Sequence, residues 1–192
     1  MNNKIGLFFG SFNPIHIGHL IIANHVVEHS DLDQVWLVVS PQNPFKDKKT
    51  LAKDRDRFHL AKIAIGDNLK LDASDIEFGL PRPSYTIDTL SYLHEKYPQK
   101  EFSLIMGSDN LENIDKWKNG DILLNKYHIY IYDRPGDEQP KHSDHPNVRI
   151  VNGPLLEISS TFIRQQLQAG KSIRYLVTDE VREYIENSRM YS

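Results

Sequence analysis

Apolar residues fall along the chain in short unbroken runs, separated by longer stretches in which they recur at helical spacing. The runs Ile5 to Phe9, Val35 to Ser40, Leu69 to Leu71, Phe102 to Met106, Tyr127 to Tyr132 and Val148 to Val151 are predicted strands. Continuous apolar runs bounded by turn residues suit strands buried on both faces. The stretches His19 to His29, Asp54 to Ile65, Thr86 to Tyr97, Asn110 to Trp117, Ser160 to Ala169 and Asp179 to Asn187 are predicted helices. Strand and helix alternate, as expected of an α/β, Rossmann-like, doubly wound parallel sheet of about five to six strands with a small C-terminal helical portion. A single domain over residues 1–192 accommodates this pattern. There is no internal repeat or low-complexity tract, and Asp133 to Pro146, rich in Pro, Asp and His, reads as a flexible loop.

Composition narrows the function classes. A formal net charge of −3 argues against a general nucleic-acid binder, which carries a large basic excess. The absence of Cys removes disulfides and thiol nucleophiles together. With no secretory-type apolar segment at the start and no run of membrane-spanning length, a soluble cytoplasmic protein without membrane partners is expected. The sequence leaves oligomeric state open, a homo-oligomer included.

Ligands of open parallel sheets sit beyond the carboxyl ends of the strands, so the residues that follow each strand carry the candidate chemistry. After the first strand comes Gly10-Ser11-Phe12-Asn13-Pro14-Ile15-His16-Ile17-Gly18-His19. A strand that ends in a Gly-Ser turn and restarts as a helix brings free backbone N–H groups and a positive dipole end to an anion. His16 and His19, three positions apart, share a face of the first helical turn and reach one phosphate, with Gly18 leaving room for a ligand to approach the backbone. Two blander readings compete. A metal site lacks further ligands, since there is no Cys and no zincin Glu beside His16, so no protein metal site is assigned. The other is a pair of ordinary surface histidines.

The second signal is Ile158-Ser159-Ser160-Thr161-Phe162-Ile163-Arg164. Three hydroxyl residues at a helix start offer side-chain donors beside unpaired N–H groups, with Arg164 one turn on, a cradle for polyphosphate. Alone it would read as an ordinary N-cap with a solvated Arg; together with the histidine turn it reads as a phosphate site.

These two motifs resemble the signatures of the nucleotidyltransferase superfamily with a His-x-Gly-His sequence, and more closely the bacterial nicotinate-nucleotide adenylyltransferases. The similarity covers nearly the whole chain. Its closer part rests on Ser40-Pro41 with Asn43-Pro44 and Lys46, on Pro83 to Leu90, on Met106-Gly107-Ser108-Asp109, on Trp117 and on Arg174-Tyr175-Leu176. One departure is Phe9-Gly10-Ser11-Phe12-Asn13-Pro14, where that family usually has Gly-Gly-Thr-Phe-Asp-Pro; this wording is also similar to the nicotinamide-nucleotide enzymes.

The resemblance implies transfer of AMP from ATP to the 5′-phosphate of nicotinate mononucleotide, giving deamido-NAD and pyrophosphate in NAD biosynthesis. Attack is direct, with no covalent enzyme intermediate, and Mg²⁺ arrives bound to ATP. It implies His19 as donor to the α-phosphate, His16 with Gly10 and the Ser11 and Phe12 backbone as phosphate-positioning groups, and Ser159, Ser160, Thr161 and Arg164 as holders of the β- and γ-phosphates. Gly107, Asp109 and Arg134 fall to the adenosine end, Asp109 as ribose acceptor or plain helix cap, Arg134 as pocket wall or solvated cation. Asn43, Lys46, Ser84, Tyr85, Thr86 and Trp117 fall to the mononucleotide. The N–H groups after Ser84 would bind the nicotinate carboxylate and Trp117 would stack on the ring; core packing of Tyr85 and Trp117 and a solvated Lys46 stand as alternatives. Rival readings are a nicotinamide mononucleotide or phosphopantetheine adenylyltransferase, and a nucleotide-sensing module without catalysis. The histidine motif is also that of class I aminoacyl-tRNA synthetases, but this length leaves no room for a tRNA-binding domain and no Lys-Met-Ser-Lys-Ser segment is present.

Overall fold

The computed structural model describes residues 3–41, 51–133, 140–154 and 156–191. Six strands form one all-parallel sheet: β1 (Asn3–Gly10), β2 (Gln34–Val39), β3 (Leu71–Ser74), β4 (Lys100–Gly107), β5 (Ile129–Asp133) and β6 (Val148–Asn152), in the spatial order β3-β2-β1-β4-β5-β6. The helices are α1 (Ile17–Glu28), α2 (Asp54–Ile65), α3 (Thr86–Lys96), α4 (Ser108–Glu112), α5 (Gly120–Lys126), α6 (Ser160–Gln168) and α7 (Asp179–Ser188). This is the doubly wound order, and its switch point, where successive connections leave in opposite directions, lies between β1 and β4.

The two faces of the sheet bury separate cores. On β5, Tyr130 and Tyr132 face the core built with Ala23 and Val26 of α1, Leu60 and Ala61 of α2, Ile163 of α6 and Val181 of α7. Ile129 and Ile131 face the other, with Leu90 and Leu93 of α3, Leu111 of α4 and Leu123 of α5. The two-residue alternation of strand side chains makes both sets possible from one run.

Three expectations are corrected. The third strand is Leu71–Ser74 rather than Leu69 to Leu71, because Leu71 and Ala73 point inward while Leu69 is 88% exposed. The helix expected over Asn110 to Trp117 stops at Glu112 and resumes as a 3-10 turn over Ile114–Lys116; the Asn113 side chain donates to the Asp109 carbonyl at 2.8 Å, offering the backbone a local alternative to helix. Helix α5 was not anticipated; its N-cap, Asn119, adopts a left-handed conformation, φ 56°. Of the segment expected to be a flexible loop, the described part is tied down: Lys141 and His142 both pair with Asp115. Residues 134–139 lie outside the described residues.

Among the described residues no helix is long and apolar enough to cross a membrane.

Candidate active site

A cleft of about 960 Å³ opens at the carboxyl edge of the sheet over the β1/β4 switch point. It gathers Gly10, Ser11, Phe12, Asn13, His16, Gly18 and His19 from the β1 to α1 connection, Gly107, Ser108 and Asp109 from the end of β4, and Ser159, Ser160, Thr161 and Arg164 from α6. Two helix N-termini, those of α1 and α6, thus meet in one cavity and add their positive dipole ends.

The convergence is bonded. The Ser160 hydroxyl donates to the Pro14 carbonyl at 2.9 Å, and Arg164 Nη1 donates to the Asn13 carbonyl at 2.7 Å. Arg164 Nη2 donates to Thr161 Oγ1 at 3.3 Å, and Ser159 Oγ caps α6 by accepting from the Phe162 N–H. The three hydroxyls have separate partners: Ser160 joins α6 to the turn after β1, Ser159 caps its own helix and Thr161 accepts from Arg164, with the backbone N–H groups of the α6 start beside them.

The histidine pair is built from below. An ideal Cβ on Gly10 would lie 2.7 Å from Phe12 Cζ, so only glycine lets the Phe12 ring fold over the strand end. Phe12 is buried at φ 43°, and its ring meets His19 edge-on at 4.9 Å. His16, the N-cap of α1, stacks on His19 with ring centroids 3.6 Å apart. The His16 backbone N–H donates to His19 Nδ1 at 3.3 Å, which leaves the neutral His19 proton on Nε2. A Cβ on Gly18 would sit 3.0 Å from His16 Nδ1, so the glycine, which also lines the cleft, accommodates the His16 ring.

His16 is 6% exposed, and burial pushes its imidazole down from 6.5 to about 4. The folded protein therefore holds it neutral where the unfolded chain protonates it. Between pH 6.5 and 4 the unfolded state binds the extra proton, so stability rises with pH through that window. On the order of 3 kcal/mol is lost in falling across it. Urea midpoints measured from pH 7.5 to 4 are expected to show this slope in the wild type and to lose it in His16→Gln; identical slopes would contradict a buried neutral imidazole.

Of the mononucleotide candidates, the described Ser84, Tyr85, Thr86 and Trp117 are not among the residues lining this cleft. Tyr85 is the N-cap of α3, 38% exposed, with Thr86 opening the helix. The Ser84 hydroxyl lies beside Glu77, whose carboxyl is raised by burial against the pull of the Thr89, Ser40 and Ser84 hydroxyls. Trp117 packs, partly buried, against the second core. Asn43, Lys46 and Arg134 lie outside the described residues. Two neighbours escaped the sequence reading. Lys118 sits 4.8 Å over the Tyr85 ring and pairs with Asp88, placing a cation at the start of α3. The second is Arg57, fully buried in α2 among Leu60, Ala61 and Ala64. Its signal was available: these four positions share one helical stripe, and an Arg on the apolar stripe needs buried partners.

Comparison with known proteins agrees with this geometry. A cytidylyltransferase-like family model matches residues 7–166. A probable nicotinate-nucleotide adenylyltransferase of Cytophaga hutchinsonii is 56% identical over 189 residues, covering 98% of each chain. The chain belongs to the nicotinate-nucleotide adenylyltransferase family. A further relative, the probable nicotinate-nucleotide adenylyltransferase of Bacteroides fragilis, is 47% identical over 182 residues, covering 95% of this chain and 90% of its own. The family fold extends to distant structures: Plasmodium falciparum nicotinic acid mononucleotide adenylyltransferase complexed with NaAD superposes with a TM-score of 0.82 at 22% identity, covering 99% of this chain and 98% of that one.

Proposed function

We infer that this protein transfers AMP from ATP to nicotinate mononucleotide, forming deamido-NAD and pyrophosphate. The observation that carries the reading is the bonded meeting of the His16 to His19 and Ser159 to Arg164 segments in one cleft, in a chain of this family. Two helix N-termini and a guanidinium suit a triphosphate, and His19 Nε2–H suits the α-phosphate oxygens on which charge gathers as the acceptor phosphate attacks. Arg164 and the α6 start take the departing pyrophosphate. No nucleophilic side chain is needed, because aligning two anions and neutralising them suffices for direct attack. Gly107 and Asp109, at the opposite wall, take the nucleoside.

Among the described residues no three His, Cys, Asp or Glu side chains group as a metal site, and Asp109 is the only carboxylate residue lining the cleft. Mg²⁺ therefore fits as a companion of ATP, held by phosphate oxygens and water with Asp109 as the nearest protein candidate, and it supplies charge neutralisation. A cytoplasmic location and a single catalytic domain complete the reading.

Acid selectivity follows from the start of α3, where Thr86 and the following N–H groups, with Lys118 alongside, favour a carboxylate over a carboxamide. Given ATP, Mg²⁺ and each mononucleotide in turn, the purified protein is expected to yield the acid dinucleotide with kcat/KM at least about tenfold above the amide, the value of one charge-assisted hydrogen bond. Equal efficiencies would refute the carboxylate pocket, and absence of pyrophosphate release would refute the activity.

A further inference from the structure

We propose that Arg57 is a positioning residue that registers the nucleotide-binding turn after β1 against the acceptor-side segment after β2. The proposal rests on the adenylyl-transfer reading above and assigns to it a residue remote from both substrates.

Arg57 is 0% exposed, a position at which a guanidinium persists only if its donors are satisfied. Four hydrogen bonds run from its five N–H groups to carbonyls drawn from separate segments. Nε donates to the Ala52 carbonyl at 3.0 Å, Nη1 to the Ser11 carbonyl and to the Ser40 carbonyl at 2.9 Å, and Nη2 to the Pro41 carbonyl at 3.4 Å. Its nearest carboxylate, Asp54, stands 3.7 Å off and is itself held by Arg82 at 2.7 Å. The charge is thus spent on backbone dipoles.

The segments so joined are the ones the reaction must align. Ser11 belongs to the turn that lines the cleft, Ser40 and Pro41 end β2 ahead of the Asn43 and Lys46 segment, and Ala52 leads into α2. A second strap runs parallel: the Ala52 N–H donates to Asn13 Oδ1 at 3.1 Å. From the opposite end of the turn Arg164 holds the Asn13 carbonyl at 2.7 Å. The turn is therefore clasped between two guanidiniums. Because the carbonyl and N–H of a trans peptide point in opposite directions, drawing the Ser11 carbonyl toward α2 turns the Phe12 N–H away from it, onto the side of the anion. Lysine cannot substitute for this fork, since its donors radiate from one nitrogen and cannot span a strand end, a turn and a helix lead.

In-line attack needs the reacting atoms within about 3.5 Å, and a displacement of about 1 Å costs on the order of 100-fold in rate. Arg57→Lys is accordingly expected to lower kcat by about tenfold or more while KM for ATP and for nicotinate mononucleotide each stay within about threefold, because the groups that bind each substrate remain. Turnover is expressed per folded site, counted by binding of a nonhydrolysable ATP analogue. If the variant is partly unfolded, the assay is repeated with trimethylamine N-oxide, which restores compact protein but not the fork; kcat per folded site is expected to stay low. A kcat per folded site within twofold of wild type, in either medium, overturns the registering role and leaves Arg57 as a fold element. Wild-type protein that makes no dinucleotide in the same assay overturns the adenylyl-transfer reading and the role with it, so the two failures are told apart.

Discussion

Replacing His19 with alanine is expected to lower kcat by two to three orders of magnitude while KM for ATP moves by only a few-fold. The size follows from the kind of interaction lost: a preorganised donor aimed at charge that develops only in the transition state is worth about 3 to 4 kcal/mol. Preorganisation is visible in the packing. The ring is stacked on His16 at 3.6 Å, braced edge-on by Phe12 at 4.9 Å, and oriented by the His16 N–H on Nδ1. It has little freedom to lose when ATP arrives, and its Nε2 carries the proton to donate. His16 is neutral at pH 7, so the stack places no cation beside the donor. Initial-rate kinetics with both substrates varied provide the check. A rise in KM for ATP with kcat unchanged would mean that His19 binds the ground state and the transition state equally, and the assignment would fall.

How much of this was legible before the structure depends on which physical signal each part leaves. The apolar runs Tyr127 to Tyr132 and Ile5 to Phe9 announced buried strands because a sheet covered on both faces leaves no polar alternation along the strand. Both cleft-lining motifs were legible for the same local reason: Ser, His and Gly cluster where a helix starts. What those hydroxyls touch was not legible. That Ser160 bonds Pro14 and Arg164 bonds Asn13 depends on β1 and α6 meeting across the sheet, a tertiary fact with no local trace. Leu69 misled because apolar character was taken for burial, whereas an edge strand as short as β3 is placed by its pairing with β2. At Gly18 a missing side chain reads equally well as room for a ligand or for a neighbouring ring, and the His16 ring was not foreseen. Arg57 shows the opposite case, a signal present in the helical stripe of α2 and passed over because arginine is expected in water.

The doubly wound order explains why residues so far apart in the chain act together. Strand β1 is central, so the turn that follows it at the carboxyl edge lies within reach of segments that follow strands on either side. From one side α2 reaches that turn through Arg57, and from the other α6 reaches it through Ser160 and Arg164. The cleft is thereby assembled by the fold and not by any one segment.

Arg164 is the residue in which assembly and chemistry overlap, and its replacement should be nearly as damaging as that of His19. Arg164→Gln keeps a polar side chain of similar reach but loses the charge and the fork that spans the Asn13 carbonyl and Thr161 Oγ1. Each charged hydrogen bond to phosphate is worth about 1.5 to 3 kcal/mol, so loss of two predicts a fall in kcat/KM for ATP of about 100-fold or more. A purely structural arginine would produce the same fall through misfolding, and product inhibition separates the two. If Arg164 holds the departing pyrophosphate, the inhibition constant for pyrophosphate in the folded variant should rise by at least about tenfold, the value of one such bond, with inhibition by the dinucleotide product little changed. An unaltered pyrophosphate constant in a folded variant with lowered turnover would confine Arg164 to fastening α6 onto the β1 turn. The pyrophosphate would then rest on the helix N-termini alone.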